Sequence, residues 1–162
     1  MSGFTIDLAG LPSGASRVRL EADPSDLELE ASGWPNPVRG DFLVEKGGDR
    51  ISIRGRLEAL VTLACVRCLK EYELPLLVPF ELFAERAGTS SRFEEEVLER
   101  DDYMKFHDGR QLDVREEVRD SLLLEVPMAP HCREQCLGLC PRCGADLNEG
   151  PCRCVPLEAP GA

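Results

Sequence analysis

The stretch 136-CLGLCPRCGADLNEGPCRC-154 puts five cysteines into nineteen residues, and the other three stand at 65, 68 and 132. Nothing else in the chain restricts its folding as strongly. With 162 residues, 43% of them hydrophobic, the chain can bury a core without cross-links, so the thiols are not obligatory staples. The opening MSGFTIDLAGLPSG lacks the basic n-region and the apolar run of roughly 7 to 15 residues of a secretory signal. No stretch approaches the roughly 20 apolar residues of a membrane span. A soluble, cytoplasmic protein is expected, and in a reducing compartment cysteines two residues apart hold a metal more readily than they form a disulfide framework.

Four thiolates about 2.3 Å from a tetrahedral zinc ion can come from two short turns, because two intervening residues let both sulfurs face one point. Cys140-Pro141-Arg142-Cys143-Gly144 has that form: Pro141 narrows the backbone choices and Gly144 allows a positive φ. Cys152-Arg153-Cys154 completes a first set, Cys140, Cys143, Cys152 and Cys154, although its single intervening residue departs from the usual ribbon spacing. Cys65, Cys68, Cys132 and Cys136 remain for a second set, which would clamp 65-CVRC-68 to the later segment across a loop whose closure cost grows only logarithmically with length. His131 in place of Cys132, or Cys136 exchanged into the first set, are the competing arrangements. His107 has no ligand spacing to any cysteine and reads as an ordinary surface histidine.

Alternation supplies the fold. Ile51, Ile53, Leu57, Ala59, Val61 and Leu63 share one parity against Arg50, Ser52, Arg54, Arg56, Glu58 and Thr62, which predicts a strand with one buried face. Tyr72, Leu74, Leu76, Val78, Phe80 and Leu82 predict a second strand running back, so 65-CVRCLK-70 becomes the tip of a long hairpin. Pro75 and Pro79 put that second strand at a sheet edge or make it irregular. Shorter strands are predicted at 4–8, 18–20, 27–29 and 42–46, and Trp34 is expected to pack on the sheet. A helix is predicted over 113–126, with Asp113 as N-cap, Val114, Val118, Leu122 and Val126 as its apolar stripe, and Pro127 after it. The expected class is α+β: a mostly antiparallel sheet with a long hairpin, one C-terminal helix packed on it, and a cysteine-rich zinc-binding tail. The expected division is a sheet domain over 1–130, with an acidic linker at 86–102, then a zinc-binding segment over 131–154 and a loose tail over 155–162.

A net charge of −11 argues against long-range attraction to nucleic acid or an anionic membrane. It leaves a basic partner, or a local basic patch acting at short range. Arg67, Arg142 and Arg153 sit inside the ligand turns, where charge compensation of thiolates is their plain role. Residues 50–70 nevertheless carry five basic residues against Glu58 alone, so Arg54, Arg56, Arg67 and Lys70 are candidates for contact with an RNA backbone or another partner. With no aromatic platform evident beside them, reading of bases in a single strand is not expected. The chain has no GxSxG, GxxxxGK[ST] or GxGxxG. Closed sets of four thiolates lack the open position of catalytic zinc, and CVRC between two strands lacks the strand-then-helix setting of a redox CxxC. No enzymatic activity is expected.

The hairpin with its Cys-x-x-Cys tip, the helix opened by Leu112-Asp113, and the motif 138-GLCPRCGADLNEGPC-152 together resemble the bacterial YceD-like family, over about residues 40 to 154. The N-terminal stretch 24-PSDLELEASGWPNPVRG-40 departs from the pattern. The resemblance implies a role in accumulation of large-subunit ribosomal RNA and ribosome assembly, with that RNA or a basic large-subunit ribosomal protein as partner.

Overall fold

The computed structural model describes residues 3–87 and 104–154. Most of the acidic stretch 86–102 and all of the tail 155–162 lie outside the described residues. The element order is β1 (Thr5–Asp7), β2 (Gly14–Ala22), β3 (Val38–Gly47), β4 (Arg50–Ala64), β5 (Glu71–Arg86), β6 (Met104–His107), β7 (Gln111–Asp113) and one helix, α1 (Arg115–Glu125). Two compact units are formed, one from Met1–Val61 and Leu74–Val126, the other from Thr62–Glu73 and Pro127–Ala162.

In the first unit, five strands pair in the order β2-β3-β4-β5-β6, and β1 pairs with β7 in a separate two-stranded sheet. The β1–β7, β2–β3 and β3–β4 pairs are antiparallel. The β5–β6 pair is parallel, so the sheet is mixed. Alternation in the sequence becomes alternation of burial: Ile51, Ile53, Leu57 and Val61 of β4 and Leu76, Val78, Phe80 and Leu82 of β5 are buried, while Arg54, Arg56, Glu73 and Glu81 face water. The ring of Phe42 holds the centre, 6.2 Å from Phe4 and 5.3 Å from Phe80. Space for it comes from two glycines: a Cβ at Gly40 would stand 2.4 Å from the Phe42 ring, and one at Gly55 only 2.1 Å from the Asp41 carbonyl oxygen. Trp34 is also buried.

Four expectations are corrected. The strand expected at 27–29 does not form: residues 24–27 make a 3₁₀ turn, which Pro24 starts and Glu28 closes with φ 56°. Strand β5 is not at the edge, yet β6 pairs only with Phe83–Arg86. The proline-bearing part of β5 thus has β4 as its only strand partner among the described residues, which is what its missing N–H groups permit. The helix starts at Arg115, not Asp113, because Asp113 ends β7, paired with Thr5. Its carboxylate still accepts the Arg115 N–H at 3.0 Å and grips the Arg115 guanidinium at 2.5 Å. Of the expected stripe, Val114, Val118 and Leu122 are fully buried, while Val126, just past the helix end, is half-buried. His107 is not a surface residue: it is 7% exposed, and its Nδ1 accepts the Gly109 N–H at 3.0 Å.

Candidate metal centre

Both Cys-x-x-Cys turns of the second unit close in the same way. The Cys65 N–H donates to the Lys70 carbonyl at 2.9 Å and the Cys65 carbonyl accepts the Leu69 N–H at 2.9 Å. The Cys140 N–H likewise donates to the Ala145 carbonyl at 2.8 Å, and the Cys140 carbonyl accepts the Gly144 N–H at 2.9 Å. The residue after each second cysteine takes a left-handed conformation, φ 60° at Leu69 and φ 73° at Gly144. This turn aims following backbone N–H groups at the first sulfur. The Cys65 thiol is lowered to about 5, chiefly by the Cys68 N–H. The Cys140 thiol is lowered to about 6 by the Cys143 and Arg142 N–H groups.

The Sγ atoms of Cys65, Cys68, Cys132 and Cys136 lie within 4.8 Å of one another, and so do those of Cys140, Cys143, Cys152 and Cys154. Cys65 to Cys136 is 3.8 Å, Cys68 to Cys132 is 3.7 Å and Cys140 to Cys152 is 3.5 Å. A disulfide needs about 2.05 Å, and all eight thiols are free. A tetrahedral ion with bonds of about 2.3 Å would hold its sulfurs about 3.8 Å apart, so both sets fit zinc. His131 is exposed and outside both sets.

Crowding four thiols together divides their titration. Burial pushes Cys132 up to about 12, and Cys68 is also raised. Cys154 is pushed up to about 12, chiefly by sharing its proton with Cys143. Neighbouring sulfurs cannot all ionise without a cation among them.

The tail is also folded on itself around the thiols by residues that the cysteine spacing did not reveal. Asn148 donates from Nδ2 to the Cys136 sulfur at 3.4 Å and accepts the Leu137 N–H at 2.8 Å. The Asn148 N–H is in turn capped by Asp146 at 2.9 Å. Their signal in the sequence is the run Asp146-Leu147-Asn148-Glu149, an Asx-capped 3₁₀ turn. Gly138, with φ 75°, brings the backbone so near that a Cβ there would meet the Arg67 carbonyl oxygen at 3.0 Å.

The four basic candidates separate between the units. Arg67 donates to the Cys136 carbonyl at 3.0 Å. Lys70 lies 2.6 Å from Asp146 and 3.1 Å from Glu149, and its hydrogen bond to Asp146, with that of the Asn148 N–H, holds the Asp146 carboxyl at about 2. Arg67 and Lys70 are thus engaged in holding the tail. Arg54, 3.0 Å from Glu81, and Arg56, 3.7 Å from Glu58, belong to the first unit and keep about 60% of their side chains in water. Among the described residues no helix is long and apolar enough to cross a membrane.

Residues 53–159 match the family described as Large ribosomal RNA subunit accumulation protein YceD. An uncharacterized protein of Mycobacterium leprae is 32% identical over 154 residues, covering 91% of this chain and 68% of that protein. An uncharacterized protein of Mycobacterium tuberculosis is 31% identical over 126 residues, covering 77% and 58%. A maize protein named Large ribosomal RNA subunit accumulation protein YCED homolog 1, chloroplastic, is 24% identical over 179 residues, covering 96% and 61%. The chain spans between 58% and 68% of the length of these relatives, and no solved structure matches it. The family match takes in the second hairpin strand, the helix and every cysteine, and with the likeness to the Mycobacterium leprae protein it shows that the chain belongs to the YceD family.

Proposed function

We propose that the protein is a non-enzymatic, cytoplasmic factor, stabilised by two zinc ions, that supports accumulation of large-subunit ribosomal RNA during ribosome assembly. Membership of the YceD family carries the ribosomal part of this reading. The metal part is supported by two sets of four thiols at zinc spacing. Each set is closed at four sulfurs, so a bound ion would shape the fold rather than activate water. In a chain of net charge −11, acidic surfaces suit a basic large-subunit ribosomal protein, while Arg54 and Arg56 remain exposed to meet RNA.

Deletion of the gene in its own host tests the reading. Large-subunit RNA should fall relative to small-subunit RNA, and the large-subunit peak should shrink in sedimentation profiles. Normal RNA levels and profiles would overturn the ribosomal reading. They would favour a second one, a protein-binding module, for which exposed Val66, Leu69 and Leu137 of the zinc-bearing unit supply an apolar surface. A thiol oxidoreductase is disfavoured by the matched set geometry; rapid oxidation of metal-free thiols after gentle purification would restore it.

A further inference from the structure

The outward face of the five-stranded sheet carries a pattern that the hairpin alone does not show. Residues opposite one another on paired strands share a face. Arg17 stands opposite Leu43, and Leu43 opposite Arg54; Arg19 stands opposite Asp41, and Asp41 opposite Arg56. Four arginines therefore bracket one aspartate and one leucine, across two strand spacings or about 10 Å. Their side chains are 70%, 76%, 62% and 59% exposed for Arg17, Arg19, Arg54 and Arg56. Arg17 and Arg19 share Asp41, at 3.1 and 3.8 Å. The arginine ends of these pairs are exposed and hold weakly, so the guanidinium groups can turn from Asp41 toward a phosphate.

The same face continues into an apolar end. The Arg54–Glu81 contact fixes Glu81 on the outward side, and Phe83, two residues on, shares it. The β5–β6 register sets Met104 beside Phe83 and Phe106 beside Glu85. Phe83, Met104 and Phe106 are 42%, 43% and 44% exposed. The sequence offered no aromatic platform because Phe106 lies in a short strand, parallel to β5, that alternation did not disclose. Glu21, Glu45, Glu58, Glu81 and Glu85 lie on this face as well, with Arg39 and Arg50 paired to Glu21 and Glu85, so attraction is centred on the four-arginine block and acts at short range.

We propose that this open sheet face binds single-stranded RNA, with Arg17, Arg19, Arg54 and Arg56 taking phosphates and Phe83 and Phe106 stacking on bases. The inference rests on the ribosomal-RNA reading above and adds the surface and the ligand class. Single strands are favoured over a duplex because only unpaired bases offer faces to the rings. RNA is favoured over a basic protein because the arginines cluster around Asp41 and the rings of Phe83 and Phe106 beyond them can stack on bases, a pairing of phosphate and base contacts that a basic protein does not use.

The test is fluorescence anisotropy of the full-length, zinc-loaded protein with a labelled single-stranded RNA of mixed sequence, and with its duplex, over a range of salt. The wild type should prefer the single strand. Phe83→Ala with Phe106→Ala should weaken binding roughly 5- to 150-fold for each stacking ring removed, leaving the salt slope unchanged. Arg17→Gln with Arg54→Gln should flatten the slope by about 0.7 for each phosphate no longer neutralised. Unchanged melting and zinc content confirm that each variant is folded. The proposal is overturned if the wild type binds no RNA, or if the phenylalanine pair binds as tightly as wild type. It is equally overturned if that pair instead loses affinity for a purified basic ribosomal protein. The ribosomal reading is judged separately, by large-subunit RNA in the deletion strain, so the two can fail independently.

Discussion

Cys65 and Cys140 each open a turn that presents backbone N–H groups to sulfur, and both thiols lie low enough to be ionised at pH 7. Cys68, Cys132 and Cys154 are raised and keep their protons before an ion arrives. Loading two zinc ions at pH 7 should therefore expel at least three protons, those of Cys68, Cys132 and Cys154. Calorimetry in buffers of different ionisation enthalpy counts them, and affinity should rise with pH because protons compete with the metal. Release of none would show that these thiols had already lost their protons before the ion arrived. Asp146 gives a second handle. Its carboxyl is held at about 2, first by Lys70 and then by the Asn148 N–H. A depressed carboxyl contributes stability that is complete above its unfolded value near 3.9 and lost as pH falls through the folded value. Lys70→Met should raise the Asp146 value measured by carboxylate NMR; an unmoved titration would show that the pair does not hold the carboxyl down. Gly144, at φ 73°, admits a left-handed turn that a β-branched side chain resists. Gly144→Val should destabilise the Cys140 turn by about 1 to 2 kcal/mol, read as weaker binding of one of the two ions.

At the scale of elements, strand β4 and helix α1 carry the first unit. Truncating fully buried Leu122 to alanine should cost about 2 to 5 kcal/mol in chemical denaturation, without loss of zinc. Gly55→Ala would drive a Cβ against the Asp41 carbonyl and the Phe42 ring, and should cost about 1 to 3 kcal/mol or more for overpacking. A cost below about 0.5 kcal/mol for either would contradict the packing described. The long strands and the helix stripe were legible because a one-sided burial pattern at period 2 or 3.6 is local information. The spacing that groups Cys140 and Cys143 with Cys152 and Cys154 is local too, and the structure gathers those four sulfurs. What could not be read depends on distant partners. Phe42 explains Gly40 and Gly55 only once β3 and β4 are aligned. Strand β6 has four residues and pairs in parallel with β5, which needs a crossover that local alternation does not signal. His107 is buried by that pairing, so its exposure was misjudged. Asn148 acts on Cys136 across twelve residues, and Arg17 and Arg19 join Arg54 and Arg56 only through the register of β3.

On the scale of the whole molecule, the hairpin tip is grouped with the tail, and the remaining strands with the helix. In the second unit the cysteines Cys65, Cys68 and Cys136 are themselves the buried cluster, with Tyr72, Cys132 and Leu139 packed against them. An ion there would take the place of a larger apolar core. Chelation should release backbone amides of residues 127–154 to rapid hydrogen exchange while those of β3 and β4 in the first unit stay protected. Simultaneous loss of both would mean that metal holds the entire fold. The most direct measurement is native mass spectrometry of freshly purified, intact protein. Two zinc ions per chain are expected. A metal-free chain whose residues 127–154 nonetheless remain protected from exchange would contradict the central claim that ion capture by sulfur shapes this unit.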